Sequence, residues 1–268
     1  MNSLLSNIVS LAKQAGKQIL SIYHSDFTVE YKADKSPVTA ADMAAHQTIY
    51  QGLKQITPEI PILSEELTTT DFAERRHWQR YWLIDPLDGT KEFLEKNGEF
   101  TINIALIENH VPTLGVIYAP AFDFCYFAGA DQGAFKQMAE QEAALLQTSS
   151  WKKDSSIIIA ISRRHGTDSL QHFLAQFPAL NLLRCGSALK FCWLAEGFAD
   201  VYPRFSPTSE WDTAAGQCIL KEAGGTLIDS QGQILRYNTK PSLRNTAFLA
   251  VGDKSHAWAN YFVYTLRT

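Results

Sequence analysis

Residues 85–90 read Asp-Pro-Leu-Asp-Gly-Thr and combine two carboxylates with two residues that shape the backbone. The apolar run at 81–84 predicts a strand that ends directly at Asp85. Proline fixes φ and removes a donor, and glycine permits a sharp turn, so both carboxylates and the Leu87 carbonyl can face one space. Hard oxygen ligands of this kind, with no histidine or cysteine nearby, suit Mg²⁺ better than zinc or copper. An ordinary surface turn is the alternative interpretation of this segment alone.

Further carboxylates lie at the ends of other predicted elements. Glu65 and Glu66 follow an apolar run that predicts a short buried strand. Asp42 and Asp212 lie in the first turns of two predicted helices. Each position has a structural alternative: a solvated acidic pair for the two glutamates, and stabilisation of a helix N-terminus for the two aspartates. A well-fixed aspartate at the start of a helix is also suited to holding a metal ion.

A phosphate site is predicted beside the first segment. Residues 91–94 continue as a short helix, so the backbone N–H groups of Gly89 and Thr90 would lie at its N-terminus. Such N–H groups are ready donors to a phosphate oxygen.

The composition limits the classes of function. The chain has 268 residues, of which 46% are hydrophobic and 19% charged, and its formal net charge is -4. This balance offers no basic surface for DNA or RNA, whereas a small anionic substrate remains compatible with it. We expect no signal peptide and no membrane span, and therefore a cytoplasmic protein; loose contact with the inner face of the membrane stays open. The cysteines form no C-x-x-C pair and are expected to be reduced, buried thiols: Cys125, Cys185, Cys192 and Cys218.

The elements that must position these residues follow from hydrophobic periodicity. Helices are predicted at 2–23, 39–56, 168–176, 187–196, 211–223 and 256–266. Strands are predicted at 61–64, 81–84, 100–107, 114–118, 125–128, 156–161, 180–184, 199–202, 226–228 and 247–251. The order predicts an N-terminal α+β half with an antiparallel meander, residues 1–150, and an alternating α/β half, residues 151–268. Residues 137–154 are polar and weakly patterned, which places the boundary there.

Two motifs more than a hundred residues apart carry a resemblance to a known family. Residues 82–90 read Trp-Leu-Ile-Asp-Pro-Leu-Asp-Gly-Thr, and residues 211–216 read Trp-Asp-Thr-Ala-Ala-Gly, continuing to Glu-Ala-Gly-Gly at 222–225. With Glu65 upstream, the chain resembles the inositol monophosphatase superfamily of lithium-sensitive, magnesium-dependent phosphatases. The resemblance implies a layered α-β-α-β-α sandwich of α/β or α+β class, two or three Mg²⁺ ions, and inhibition by lithium.

The resemblance also implies roles for individual residues. The metal ligands that it implies are Glu65, Asp85 (bridging two ions), the Leu87 backbone carbonyl, Asp88 and Asp212. The catalytic residues that it implies are Asp42 and Thr90, which would activate water, and Glu65. The substrate-binding residues that it implies are Gly89, Thr90, Ser162, His165, Gly186, Ser187, Lys190 and Asp212.

Several shorter stretches are most similar to the bisphosphate nucleotidase branch of the superfamily. They lie at 33–42, 63–66, 162–165, 186–192 and 202–211. The implied reaction is hydrolysis of the 3'-phosphate of adenosine 3',5'-bisphosphate to AMP, with the corresponding phosphosulfate as a further substrate, in sulfur metabolism. Lys190 would then hold the 5'-phosphate together with the N-terminus of its helix.

Other functions stay open at this stage. An inositol monophosphatase or sugar-phosphate phosphatase would use the same chemistry on another substrate, since a fold alone does not define the substrate. A non-catalytic nucleotide or phosphate sensor is the other alternative, and the complete set of expected ligands argues against it. Family members include monomers and dimers, so both a monomer and a homodimer are compatible with the sequence.

Overall fold

The structure, a computed structural model, describes residues 3–25, 29–31, 37–67, 70–152, 155–163 and 166–267. The α-helices are α1 (Ser3–Tyr23), α2 (Ala40–Ile56), α3 (Phe72–Arg75), α4 (Thr90–Leu94), α5 (Asp168–Leu174), α6 (Leu189–Ala195), α7 (Ala214–Glu222) and α8 (Trp258–Arg267). The strands are β1 (Val29–Tyr31), β2 (Pro37–Thr39), β3 (Ile62–Ser64), β4 (Arg80–Asp88), β5 (Thr101–Glu108), β6 (Val111–Ala119), β7 (Phe124–Gly129), β8 (Gly133–Met138), β9 (Ala144–Leu145), β10 (Ile157–Ser162), β11 (Leu180–Cys185), β12 (Val201–Arg204), β13 (Thr226–Asp229) and β14 (Phe248–Val251).

The larger sheet has seven strands in the order β3-β4-β5-β6-β7-β8-β9. Strands β3 and β4 are parallel, and every later pair is antiparallel, which confirms the predicted meander. Side chains alternate between the two faces of β4. Trp82 and Ile84 pack against α1 and α2, whereas Tyr81 and Leu83 face the central core.

The smaller sheet has five strands in the order β11-β10-β12-β14-β13. Helices α6 and α7 lie between the two sheets, because α7 packs on β5 and β6 while α6 packs on β10 and β12. Helices α5 and α8 cover the outer face of the smaller sheet, where Phe173 and Phe262 are fully buried. The layers therefore run α1/α2, large sheet, α6/α7, small sheet, α5/α8. The predicted α-β-α-β-α sandwich is confirmed.

Two differences from the predicted elements bear on the site. Strand β4 runs to Asp88 rather than ending at Ile84. The helix predicted from Trp211 begins instead as a separate 3₁₀ turn, Glu210–Asp212, followed by α7. The hairpin β1–β2, the short helix α3 and strands β8 and β9 were not predicted, because each is too short or too polar to show a clear period.

The remaining expectations concern the chain as a whole. All four cysteines are buried free thiols, and burial raises the pKa of each. None of the helices in the described ranges combines the length and apolar character that a membrane span requires. The described strands of the large sheet precede residue 146 and those of the small sheet follow residue 156. Sheet membership alone does not define domains, so the division into 1–150 and 151–268 stays a prediction.

Candidate active site

A β-bulge shapes the corner at Asp85. Asp85 pairs with Asn103 on β5 and Asp88 pairs with Thr101, so three steps along β4 oppose two along β5. The proline between the two aspartates supplies no N–H to the ladder, which favours such an irregularity. The Leu87 N–H donates to Asp85 Oδ1 at 3.0 Å, and this bond fixes the carboxylate at the corner. The strand thus continues into the motif as far as Asp88, and the bulge changes the direction of the side chains there.

Asp88 is held from the neighbouring strand. Asn103 Nδ2 donates to Asp88 Oδ2 at 3.4 Å, while Thr101 Oγ1 donates to Asn103 Oδ1 at 3.0 Å. The threonine hydroxyl therefore orients the amide so that its NH₂ group faces the carboxylate. Both supporting residues are buried on β5.

Gly89 supplies the sharp turn expected from the sequence. Its φ is 90°, in the left-handed region where a side chain is strained. A Cβ at this position would also lie only 3.1 Å from the Glu99 carbonyl oxygen. Helix α4 begins at the next residue, Thr90. A phosphate contact by the N–H groups of Gly89 and Thr90 stays a prediction.

Thr90 and Asp42 meet although they are far apart in sequence. Thr90 Oγ1 lies 3.5 Å from Asp42 Oδ1 and 3.4 Å from the Leu87 carbonyl oxygen, so its hydroxyl can donate to either. Asp42 is buried in the first turn of α2. A hydroxyl beside a buried carboxylate can receive a proton from a water molecule and pass its own proton on, which is the arrangement that general-base chemistry needs.

Asp212 caps a helical turn and also borders the cavity described below, while its role as a metal ligand stays a prediction. The Ser209 N–H donates to Asp212 Oδ2 at 2.7 Å, and the two residues form a reciprocal capping box around the 3₁₀ turn. The same aspartate borders the cavity described below. Capping therefore holds Asp212 in place beside the other carboxylates.

The carboxylates share one electrostatic environment. Burial raises the pKa of Asp85 well above its usual range, and the charges of Glu65, Asp88 and Asp212 raise it further. Burial raises the pKa of Asp88 to about 6, against the opposing effect of the Lys190 charge. Burial, followed by the charge of Asp88, raises the pKa of Asp212 to about 8. Their ionised forms repel one another, and a cation among them would relieve that repulsion.

The donor set fits a hard divalent cation. Glu65 joins the group because its N–H donates to the carbonyl of Ile84, the residue before Asp85 in β4, at 3.2 Å. Carboxylate and carbonyl oxygens are the ligands that Mg²⁺ accepts, and it keeps several waters of its own. Within the described ranges, no three histidine, cysteine or carboxylate groups already converge as a complete ion cage. The fit therefore rests on donor chemistry and shared charge, and the individual metal ligands stay predictions.

A cavity of about 250 Å³ opens between the two sheets beside these carboxylates. Its wall includes acidic, basic, hydroxyl and aromatic side chains. The lining residues are Glu65, Asp88, Gly89, Thr90, Lys91, Glu92, Ser162, Arg163, Cys185, Gly186, Ser187, Lys190, Phe191, Tyr202, Arg204, Thr208, Asp212, Thr213 and Phe248. All predicted substrate-side residues within the described ranges border this cavity. His165 lies outside the described residues.

Lys190 is held more tightly than the sequence suggested. It is only 3% exposed, and its Nζ donates to the Ser187 carbonyl at 2.6 Å and to the Cys185 carbonyl at 3.2 Å. An ammonium group has three N–H donors, so one remains for another acceptor. Ser187 has a φ of 46°, and its buried Oγ has no hydrogen-bond partner within the described residues.

Sequence reasoning assigned no role to two arginines that line the cavity, Arg163 and Arg204, or to Glu99, which contacts one of them. Arg204, at the end of β12, donates to Ser162 Oγ and, through Nε, to the Ser206 carbonyl at 3.2 Å. Arg163 Nε donates to Glu99 Oε2 at 3.0 Å. Arg204 lay within a stretch that carried the resemblance, and an arginine at a strand end beside a predicted site was the available signal. Glu99 gave no such signal.

Comparisons with known proteins agree with this fold. The model of the "Inositol monophosphatase family" matches residues 1–260. A protein of Salmonella typhimurium named 3'(2'),5'-bisphosphate nucleotidase CysQ is 47% identical over 247 residues, 91% of this chain and 98% of the relative. The protein of the same name from Escherichia coli K12 is 44% identical over the same shares. The crystal structure of CysQ from Bacteroides thetaiotaomicron, titled a bacterial member of the inositol monophosphatase family, matches with a TM-score of 0.83 and 38% identity over 95% of this chain and 98% of its own.

The fold and the comparisons together define the class of this protein, a metal-dependent phosphatase. The family match covers nearly the whole chain, and the relatives align over nearly their whole lengths. The chain belongs to the inositol monophosphatase family, whose enzymes are metal-dependent phosphatases.

Proposed function

We propose that this chain is a magnesium-dependent 3'(2'),5'-bisphosphate nucleotidase that converts adenosine 3',5'-bisphosphate to AMP and phosphate. The relatives that are 44–47% identical along almost their whole length carry this name. The observation that carries the proposal in the structure is one cavity lined by carboxylates together with basic and hydroxyl groups. Such a cavity suits a substrate with one phosphate to be hydrolysed and a second to be recognised. The phosphosulfate analogue is a further expected substrate.

We assign the metal site by donor chemistry and family membership. The proposed ligands are Glu65, Asp85, the Leu87 carbonyl, Asp88 and Asp212. When bound there, magnesium neutralises phosphate charge, lowers the pKa of a water molecule and stabilises the leaving oxygen.

The protein's own contribution to water activation lies at Thr90 and Asp42. Thr90 Oγ1 is within 3.5 Å of Asp42 Oδ1, so its hydroxyl proton can pass to the carboxylate as its oxygen accepts a proton from water. Because both side chains are fixed by helices α2 and α4, this relay needs no rearrangement of the backbone. General-base assistance of this kind typically contributes about 10²–10⁴-fold to a rate.

The basic and hydroxyl groups of the cavity are proposed to bind the nucleotide. Ser187 presents a buried hydroxyl whose hydrogen-bonding capacity is unused within the described residues. Lys190 supplies a positive charge and one remaining N–H donor. Ser162, Gly186 and, from the family resemblance, His165 complete the proposed contacts.

A substrate panel tests the proposal. Phosphate release is measured with magnesium, with and without lithium, from adenosine 3',5'-bisphosphate, its phosphosulfate analogue and inositol 1-phosphate. We expect kcat/KM for the bisphosphate to exceed that for inositol 1-phosphate by at least about 10²-fold, because buried polar groups left unpaired by the wrong ligand discriminate strongly. Equal or better turnover of inositol 1-phosphate would establish the alternative phosphatase. Binding of the nucleotide without phosphate release would establish a sensor.

Three finer assignments complete the proposal. We propose two or three magnesium ions per site, which metal titration of the activity would count. A monomer or a homodimer is expected, and light scattering would distinguish them. We propose a cytoplasmic location, with loose contact to the inner membrane face as the alternative that cell fractionation would reveal.

A further inference from the structure

Glu99 joins segments of both sheets with one carboxylate. Its Oε2 accepts the Gly186 N–H at 2.8 Å and the Arg163 Nε–H at 3.0 Å, and its Oε1 accepts a second guanidinium N–H of Arg163. Glu99 lies just before β5 of the large sheet. Gly186 follows β11 and Arg163 follows β10, both in the small sheet. The contact therefore ties the two sheets together beside the cavity.

The backbone of Glu99 is also in close contact with the site. A Cβ at Gly186 would lie 2.8 Å from the Glu99 carbonyl oxygen, and a Cβ at Gly89 would lie 3.1 Å from it. Ser187 Cβ would lie 3.3 Å from that same added atom at Gly89. The segment at 85–90, which carries Asp85 and Asp88, and the loop that begins at Gly186 are thus both packed against the backbone of Glu99.

The loop beyond Gly186 positions two of the groups proposed to bind the nucleotide, the Ser187 hydroxyl and the Lys190 ammonium. The carbonyls of Cys185 and Ser187 hold the Lys190 ammonium at 3.2 and 2.6 Å. The position of this loop therefore sets the position of the positive charge as well as that of the Ser187 hydroxyl.

The sign of the Glu99 charge argues against a direct contact with substrate. A carboxylate beside a cavity for an anion would repel that anion, and Arg163, which borders the cavity, is engaged by Glu99 instead of being left for the ligand. The contacts that Glu99 makes with the Gly186 N–H and the Arg163 guanidinium account for a glutamate at this position. We propose that Glu99 is a positioning residue for nucleotide recognition, which fixes Arg163 and the loop at 186–188, which leads into α6 and Lys190, beside the carboxylates of the cavity. This inference rests on the proposed function, since it takes that loop to contact the nucleotide.

The variant Glu99→Gln tests this inference, because charge removal and loss of positioning predict opposite changes in KM for the bisphosphate. The amide keeps the size of the side chain but has one acceptor oxygen and no charge. Removal of a negative charge alone would lower KM for the bisphosphate. Loss of positioning instead raises KM for the bisphosphate about tenfold, or about 1.4 kcal/mol, with kcat little changed and KM for p-nitrophenyl phosphate unaffected.

A second measurement does not depend on turnover. Hydrogen exchange of the Gly186 amide should become faster in Glu99→Gln than in the unmodified protein, because its acceptor is weakened. Arg163→Gln leaves the Glu99 carboxylate in place as the acceptor of the Gly186 N–H. This variant should raise KM for the bisphosphate without changing hydrogen exchange of the Gly186 amide. The matched control is Glu108→Gln, which removes the carboxylate charge from the partly exposed Arg80–Glu108 pair, 2.9 Å long, at the opposite end of the β4–β5 ladder. Neither KM nor Gly186 exchange should change in that control.

Three results would overturn the inference: a lower or unchanged KM for the bisphosphate, equal losses on both substrates, or unaltered exchange at Gly186. Failure of the proposed function is a separate result. It would appear as poor turnover of the bisphosphate by the unmodified enzyme.

Discussion

Replacement of Asp85 by asparagine tests the carboxylate centre most directly. Asp85 is 1% exposed, and after burial itself the charges of Glu65, Asp88 and Asp212 are what raise its pKa. Asparagine has nearly the same shape and keeps an oxygen that can accept the Leu87 N–H. The substitution therefore removes a charge that faces three other carboxylates while retaining the hydrogen bond that shapes the corner.

The expected loss of activity is large. Mutating a group that only supports a metal ligand typically costs about 10–100-fold in affinity or activity, so losing a ligand itself should cost at least about 10²-fold in kcat/KM, or about 2.7 kcal/mol. The stability of the metal-free protein should respond in the opposite direction. Because Asp85→Asn relieves repulsion among buried carboxylates, the metal-free variant should be at least as stable as the metal-free parent.

Thermal unfolding with and without magnesium separates these effects. Magnesium at about 100 times its dissociation constant would stabilise the parent by about 2.7 kcal/mol. For 268 residues this corresponds to a rise in Tm of about 5 °C. The variant should show less than half of that rise. Activity within a few-fold of the parent at saturating magnesium, or an undiminished rise in Tm, would refute the metal assignment.

Asp200→Asn is the matched control for this experiment. Asp200 is also a buried aspartate, but it accepts the Ile158 N–H at 2.7 Å and the Ser149 hydroxyl at 2.8 Å, and it does not border the cavity. We expect the control to unfold at a lower temperature, because losing or weakening a buried hydrogen bond costs about 1–3 kcal/mol. Its rise in Tm with magnesium should equal that of the parent. A loss of the magnesium response in both variants would mean that the response reports general destabilisation.

Two further predictions concern groups next to the centre. Thr90→Val removes the hydroxyl beside Asp42 while keeping the shape, so kcat should fall about 10²-fold with KM little changed; steady-state kinetics measures both, and an unchanged kcat would exclude the proton relay. Burial lowers the pKa of His46, against an opposing contribution from Glu66, and His46 Nδ1 lies 2.9 Å from Ser64 Oγ. The folded state therefore binds this proton less readily than the unfolded state, so its contribution to stability is present above the ordinary histidine pKa of about 6.5 and is lost as pH falls below it. Urea unfolding at pH 7.5 and 5.5 should show a smaller loss of stability in His46→Gln than in the parent, and equal losses would contradict the assignment.

The sequence predicted the elements whose hydrophobic period is long and regular. Helix α1, the meander β5–β7 and the alternating second half follow from hydrophobic periodicity and from apolar runs bounded by turn residues. The extension of β4 was missed because a proline and a glycine at 86 and 89 normally end a strand, whereas here a bulge accommodates the proline. The 3₁₀ turn at 210–212 was missed because its capping box involves Ser209, which precedes the motif used to predict the helix.

The carboxylate cluster could be predicted because most of its residues lie in two compact motifs, with Glu65 upstream of them, but the partners that position these residues could not. Glu99 acts on residues 64 and 87 positions away in sequence, and Arg204 on a serine 42 positions away. No local pattern records such contacts, since they exist only once the two sheets have packed.

Lys190 shows how the fold refines a role inferred from a motif. The resemblance assigned it to the 5'-phosphate, which stays a prediction, and the structure commits two of its three N–H donors to backbone carbonyls. Its ammonium also lies 5.3 Å from the centre of the Tyr202 ring, and its charge lowers the pKa of Asp88. A buried cation held in this way offsets part of the negative charge of the carboxylate cluster even with no phosphate bound. Its effect on substrate affinity therefore includes the field it contributes to the whole cavity, in addition to any single hydrogen bond.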